Sequence, residues 1–252
     1  MATRKELKFF DCNAAFGPYR TRVFRFARTA GELVEEMDFA NIDRALVYHT
    51  AMRFEHPIVG NELVIRETKG HSRLLPTWAI LPSQTGELPP PDDMLRDMRK
   101  NGVRALRMFP DDHRYFVDDL TWGDQVAAFE ERRIPLFVRA NLDRVAGLLR
   151  SFPNLVVVTG SQGSNPLDRY AWPLVEKFPN LIFETSAYLV DGGIEEFCRR
   201  YTAGRLVFGS GFPDNAGGSA MLMLAHAEIS DAERRAIAGD NLCRLLEGAS
   251  LP

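Results

Sequence analysis

Lysine is scarce in this chain. Of the 31 basic residues only Lys5, Lys8, Lys69, Lys100 and Lys177 are lysine, and the rest are arginine. No arginine stands out by rarity, so position must decide which ones matter. Cysteine is scarcer still. Cys12, Cys198 and Cys243 lie far apart and are odd in number, and they give no metal-site spacing. They suit a reducing, cytoplasmic setting. Long apolar runs are missing: none approaches the roughly 18 residues that span a membrane, and the charged start (Arg4, Lys5, Glu6, Lys8) has no signal-peptide stretch. A net charge of −3 lacks the excess that would point to nucleic acid. There are five histidines, and no His-x-His or His-x₃-His pair occurs. The spacings by which two imidazoles reach one ion from a strand or helix are therefore absent. Neither a metal nor another cofactor is expected.

The 252 residues are 45% hydrophobic and 26% charged, an ordinary soluble composition, and they fit one domain over residues 1–252. Short apolar runs alternate with longer amphipathic ones. Strands are expected at Lys8–Asn13, Ala45–His49, Leu74–Ile80, Val103–Phe109, Leu136–Arg139, Leu155–Thr159, Leu181–Thr185 and Arg205–Gly209. Helices are expected at Gly31–Phe39, Pro57–Lys69, Pro91–Lys100, Trp122–Arg132, Leu142–Arg150, Leu167–Lys177, Ile194–Tyr201 and Ala220–Ala227. Ser230 with Glu233 three residues on forms a capping-box pattern that opens a last helix to Leu246. Eight strands alternating with helices predict an α/β fold, a single (β/α)₈ TIM barrel. An open doubly wound sheet is the runner-up, weakened because no Gly-x-Gly-x-x-Gly follows the first strand.

The first strand reads Phe-Phe-Asp-Cys-Asn-Ala-Ala-Phe-Gly over Phe9–Gly17. Further landmarks follow in order: Gly102-Val103-Arg104-Ala105-Leu106-Arg107, Ile134-Pro135-Leu136-Phe137-Val138-Arg139, Val158-Thr159-Gly160-Ser161-Gln162-Gly163, Phe183-Glu184-Thr185-Ser186, and Phe208-Gly209-Ser210-Gly211-Phe212-Pro213. Nearly the whole chain resembles the amidohydrolase-related branch of the amidohydrolase superfamily, metal-dependent TIM-barrel hydrolases. The resemblance implies an Asp-x-His-x-His first strand, histidines after the fifth and sixth strands, and an aspartate after the eighth. Here those five positions hold Asn13, Ala15, Arg139, Ser161 and Gly211. Asparagine is a poor ligand for a transition metal and alanine is none. With five ligands replaced, the set that lowers the pKa of a bound water is lost. Lactone-opening relatives that act without metal keep hydrolysis compatible with the resemblance.

A barrel enzyme works at the carboxyl ends of its strands. Arg107 and Arg139 end neighbouring strands, and pointing inward they would suit a carboxylate or phosphate. Arg107 could equally face outward and pair with a helix. Asn13, Ser161 and Gln162 add neutral hydrogen-bonding groups. Glu184 and His49 are proton-transfer candidates, each with a plain alternative: an outward strand residue, and a satisfied polar residue. Asp214, three residues beyond Gly211, is a third candidate. Trp78, Phe16, Phe109, Tyr188 and Phe212 could line an apolar pocket or serve packing alone. The glycine-rich stretch Gly209–Ser219 could present backbone N–H groups to an anion or merely allow a turn.

Two functions follow. One is a metal-independent hydrolase acting on a lactone, ester or C–N bond of a small carboxylate. The other is a pseudoenzyme of the same fold, a small-anion binder or a regulatory or structural partner. The expected partner is an anionic small molecule. No nucleic acid or membrane is expected, and association into a homo-oligomer is left open.

Overall fold

A computed structural model describes residues 7–20, 22–160, 168–188 and 190–252. The strands are β1 (Phe10–Phe16), β2 (Arg44–His49), β3 (Leu74–Pro76), β4 (Trp78–Ala79), β5 (Leu106–Met108), β6 (Leu136–Val138), β7 (Val157–Gly160), β8 (Leu181–Glu184) and β9 (Leu206–Val207). All pair in parallel, in the order β1-β2-β3 and β4-β5-β6-β7-β8-β9. β3 and β4 are two halves of one expected strand. Before Thr77 the segment pairs with β2 and after it with β5, the stagger a closed barrel requires. The Thr77 N–H still donates to the Val47 carbonyl at 2.9 Å. The ring is closed by the Cys12 N–H on the Phe208 carbonyl and the Ala15 N–H on the Phe212 carbonyl, both at 2.9 Å.

The two-residue strand period sorts the core into two layers. Phe10, Cys12, Leu46, Ala105, Phe137, Val158, Ile182 and Val207 fill the barrel. Phe9, Val47, Leu106, Leu136, Val157, Leu181 and Leu206 face the helices. Helices follow most strands where the apolar spacing puts them, among them Ala30–Ala40, Pro57–Thr68, Pro91–Lys100, Leu142–Ser151 and Gly193–Tyr201. The Ser230/Glu233 capping box is formed, and Asp231–Arg235 continues through one π turn (Ala236–Asp240) into Asn241–Glu247. β1 runs three residues further than the sequence suggests, through a register shift between Asp11 and Ala14. That bulge carries Asn13 and re-aims it into the barrel mouth. Among the described residues no helix is long and apolar enough to cross a membrane.

Candidate active site

At the carboxyl ends of the strands lies a cavity of about 430 Å³, lined among others by Asn13, Tyr48, Arg107, Phe109, Phe137, Arg139, Glu184, Ser186, Asp214 and Asn215. The alternation of the strands supplies most of these. Arg107 and Phe109 continue the inward ladder of Ala105, Arg139 that of Phe137, and Glu184 and Ser186 that of Ile182.

Arg107 is 3% exposed and its guanidinium is spent inside the protein. Nε donates to Thr77 Oγ1 at 2.8 Å, Nη1 to Asn13 Oδ1 at 3.1 Å, and Nη2 to the Cys12 carbonyl at 2.9 Å. It lies 4.7 Å from the Tyr48 ring centroid and 4.9 Å from that of Phe137. Burial lowers its pKa, opposed by Tyr48, Cys12, Asp11 and Glu184. Arg107 is thus a brace across the barrel, and most of its donors have protein partners in place of the anion expected from sequence.

Asn13 passes the contact on, its Nδ2 donating to Glu184 Oε1 at 3.3 Å. Glu184 is fully buried and also accepts from Ser186 Oγ at 2.6 Å and the Ser186 N–H at 2.7 Å. Burial raises its pKa against these hydrogen bonds. Its carboxylate fits because Gly160, at the end of β7, and Gly209, just past β9, flank it; a Cβ at either would press on a carboxylate oxygen. Asp11 is also buried, its Oδ1 accepting from the Ser210 N–H at 2.8 Å and the Asn13 N–H at 2.9 Å, and burial raises its pKa too.

Over this layer sits a second, more open set. Arg139 is 39% exposed and meets Asp214 at 3.1 Å. Asp214 also faces Arg53 Nη1 at 3.5 Å and accepts from the Tyr19 hydroxyl, whose pKa is raised by burial and by Asp214. Arg53 pairs with Asp112 at 2.9 Å, while its buried Nη1 makes no hydrogen bond among the described residues.

Two sequence candidates stand outside the cavity for one reason, the parity of the strand. His49 follows the inward Tyr48 and turns to the helix side. There it packs edge-on to Phe16 at 5.3 Å and accepts from the Ala51 N–H at 3.1 Å. Trp78 follows Thr77 and packs in the layer between strands and helices. Phe16 shares the His49 position, Tyr188 packs against Phe197, and Phe212 lines a different cavity. Ser161 and Gln162 lie outside the described residues. Tyr48, Ser186, Asn215, Arg53 and Tyr19 are the residues sequence inspection passed over. Tyr48 and Ser186 carried a usable signal, two positions from Leu46 and Glu184. Arg53 and Tyr19 carried none.

His49 yields a pH prediction. Burial, with Arg66 nearby, lowers its pKa to about 4, outweighing the Glu67 carboxylate 4.0 Å away. The unfolded chain therefore takes up the proton first as pH falls. The stabilisation is complete above about 6.5 and is lost between about 6.5 and 4, by about 2 kcal/mol allowing for solvent screening. Urea unfolding at pH 7 and pH 4.5 should show this loss in the parent chain and a smaller one in His49→Gln. Equal losses would remove His49 as the source.

A divalent ion of the kind this fold family uses needs converging donors, and the described set does not fit one. The Asn13 amide is engaged by Arg107 and Glu184, Ala15 has no donor, and Arg139 is itself a cation. Gly211 has φ +67°, and a Cβ there would meet Ser186 and Asn215, so an aspartate would be strained. Among the described residues no three His, Cys, Asp or Glu side chains come together as ligands. The positive charge at the centre of the mouth is the Arg107 guanidinium.

Solved structures of similar fold include an uncharacterised TIM-barrel protein from Bordetella bronchiseptica (18% identity, 96% of this chain and 99% of that one, TM-score 0.72). A dihydroxybenzoic acid decarboxylase from Polaromonas sp., with bound manganese and the inhibitor 2-nitroresorcinol, aligns at 14% identity over 96% and 97% of the chains (TM-score 0.74). A candidate 2-pyrone-4,6-dicarboxylic acid hydrolase from Pseudomonas putida aligns at 13% identity over 96% and 98% (TM-score 0.72). No curated protein sequence matches the chain at a significant level. The amidohydrolase family profile matches residues 11–247. This closed barrel, with its polar mouth at the carboxyl ends of the strands, belongs to the amidohydrolase family.

Proposed function

We propose that this barrel binds a small planar carboxylate and hydrolyses an ester or lactone bond in it without a divalent metal centre. One observation carries the proposal. A single cavity holds a half-exposed arginine, Arg139, beside a fully buried carboxyl group, Glu184, whose proton affinity burial has raised. Arg139 offers a fork that matches a carboxylate. Tyr48, Phe109 and Phe137 give the cavity flat apolar walls suited to a ring. The similar folds include proteins named for dihydroxybenzoic acid and for 2-pyrone-4,6-dicarboxylic acid. Both compounds are planar rings bearing carboxylates, and the second is a cyclic ester.

In the proposed reaction Glu184 takes a proton from water as the water oxygen attacks the ester carbonyl. The bond to the ring oxygen then breaks, and the proton passes from Glu184 to that leaving oxygen. Asn13 and the Ser186 hydroxyl hold the Glu184 carboxylate in place, and Arg107 supplies fixed positive charge behind it.

The test uses 2-pyrone-6-carboxylate, with thermal shift reporting binding and loss of the pyrone absorbance reporting turnover. A shift with turnover that persists in chelator is the expected result. Turnover abolished by chelator and restored by a divalent ion would overturn the metal-free reading. A shift with no turnover would assign the binding-only alternative. Arg139→Ala should weaken binding at least about tenfold, and an unchanged shift would remove Arg139 from the ligand.

A further inference from the structure

The most exposed cation in the mouth already holds an anion. Asp214 lies on the loop after β9, yet it meets side chains from three other segments: Arg139 after β6 at 3.1 Å, Arg53 on the short helix Ala51–Phe54 after β2 at 3.5 Å, and the Tyr19 hydroxyl after β1. Two features of this cluster bear on exchange. The loop itself is anchored beside Asp214, where the Asn215 N–H donates to the Gly211 carbonyl at 2.9 Å and Asn215 Nδ2 to the Ser186 carbonyl at 3.2 Å. The loop backbone is thus held by contacts that do not depend on the Asp214 side chain. The second feature is the buried Nη1 of Arg53, which faces Asp214 without completing a hydrogen bond, so the cluster has one donor more than Asp214 satisfies.

We infer that Asp214 is an internal stand-in for the ligand's carboxylate: it occupies Arg139 in the free protein, and a carboxylate ligand binds by displacing it. This rests on the function proposed above and adds its regulation. An anion with two carboxylates on one ring is the favoured class, because displacement frees Arg139 and exposes the unfilled donor of Arg53 together. The cost of displacement lowers the apparent affinity, since only the fraction of molecules with Arg139 free is ready to bind.

Titration calorimetry with benzene-1,3-dicarboxylate at low ionic strength tests this. Asp214→Asn removes the competing charge and keeps the shape, and it should bind about tenfold more tightly than the parent. Asp214→Ala should do the same, and it serves if the asparagine variant folds poorly. Asp111→Asn removes an equal charge from an exposed residue of the helix Pro110–His113 that pairs with Arg144 instead, and it should change affinity by about twofold at most. The neutral isostere benzene-1,3-dicarboxamide should gain nothing from either Asp214 variant. Equal affinity of parent and both Asp214 variants overturns the inference while leaving the carboxylate site standing. An equal gain in Asp111→Asn also overturns it, assigning the effect to net charge. No binding by the parent or by either Asp214 variant overturns the inference and the carboxylate site together.

Discussion

Arg107→Met should destabilise the protein by about 3–5 kcal/mol, lowering Tm by roughly 10 °C for a chain of this length. The cost comes from what is left behind. Thr77, Asn13 and the Cys12 carbonyl lose their partner, and the buried Glu184 and Asp11 lose the cation that faces them. Water in the cavity is neutral and cannot replace that charge, so the orphaned groups bear much of their desolvation. Methionine fills much of the same volume, which separates charge loss from cavity formation. Urea unfolding measures the change. The double variant Arg107→Met with Glu184→Gln should lose less than the sum of the two, because the second substitution removes the charge the first has stranded. Additive losses would show that Arg107 and Glu184 do not balance one another.

Glu184→Gln should lower kcat on the pyrone carboxylate by about 10²–10⁴-fold, with a smaller fall in Tm than Arg107→Met because the glutamine carbonyl keeps one of the two acceptor positions. Glutamine fits the slot between Gly160 and Gly209, and its carbonyl can still accept from Ser186. What it cannot do is take a proton from water. The limb of the pH–rate profile that reports Glu184 ionisation should vanish with it. Unchanged kcat would mean that another group accepts the proton.

The fold was legible because strand and helix periods differ and because the landmarks come in barrel order. The inner ladder was half legible. Arg107, Arg139, Glu184 and Asn13 share the cavity as their strand positions suggest, whereas His49 and Trp78 each lie one residue past an inward side chain. At the end of a strand a shift of one residue changes the face, and apolar character alone does not fix that parity. The use of Arg107 was not legible. Whether an inward arginine meets a ligand or the protein depends on Thr77, Asn13 and Cys12, which come from other strands. The position of Asp214 between Arg139, Arg53 and Tyr19 depends on four segments that follow different strands meeting at the mouth. No local pattern encodes such a meeting.

The glycines beside Glu184 bear on how this barrel can change over generations. With Glu184 in place a Cβ at 160 or 209 would press on a carboxylate oxygen held by Asn13 and Ser186; when residue 184 shrinks, 160 is relieved and 209 keeps only the Cys12 Sγ contact at 3.3 Å. The three sites therefore form a ratchet. A lineage that first exchanges Glu184 for a small residue gains a permissive neighbour at 160 and a partly relieved one at 209. Any substitution that then settles at 160 or 209 bars the glutamate from returning. A mutational library seeking new chemistry in this mouth should vary the three together, since one-at-a-time scanning would score both glycines as intolerant and miss the combinations in which they are free.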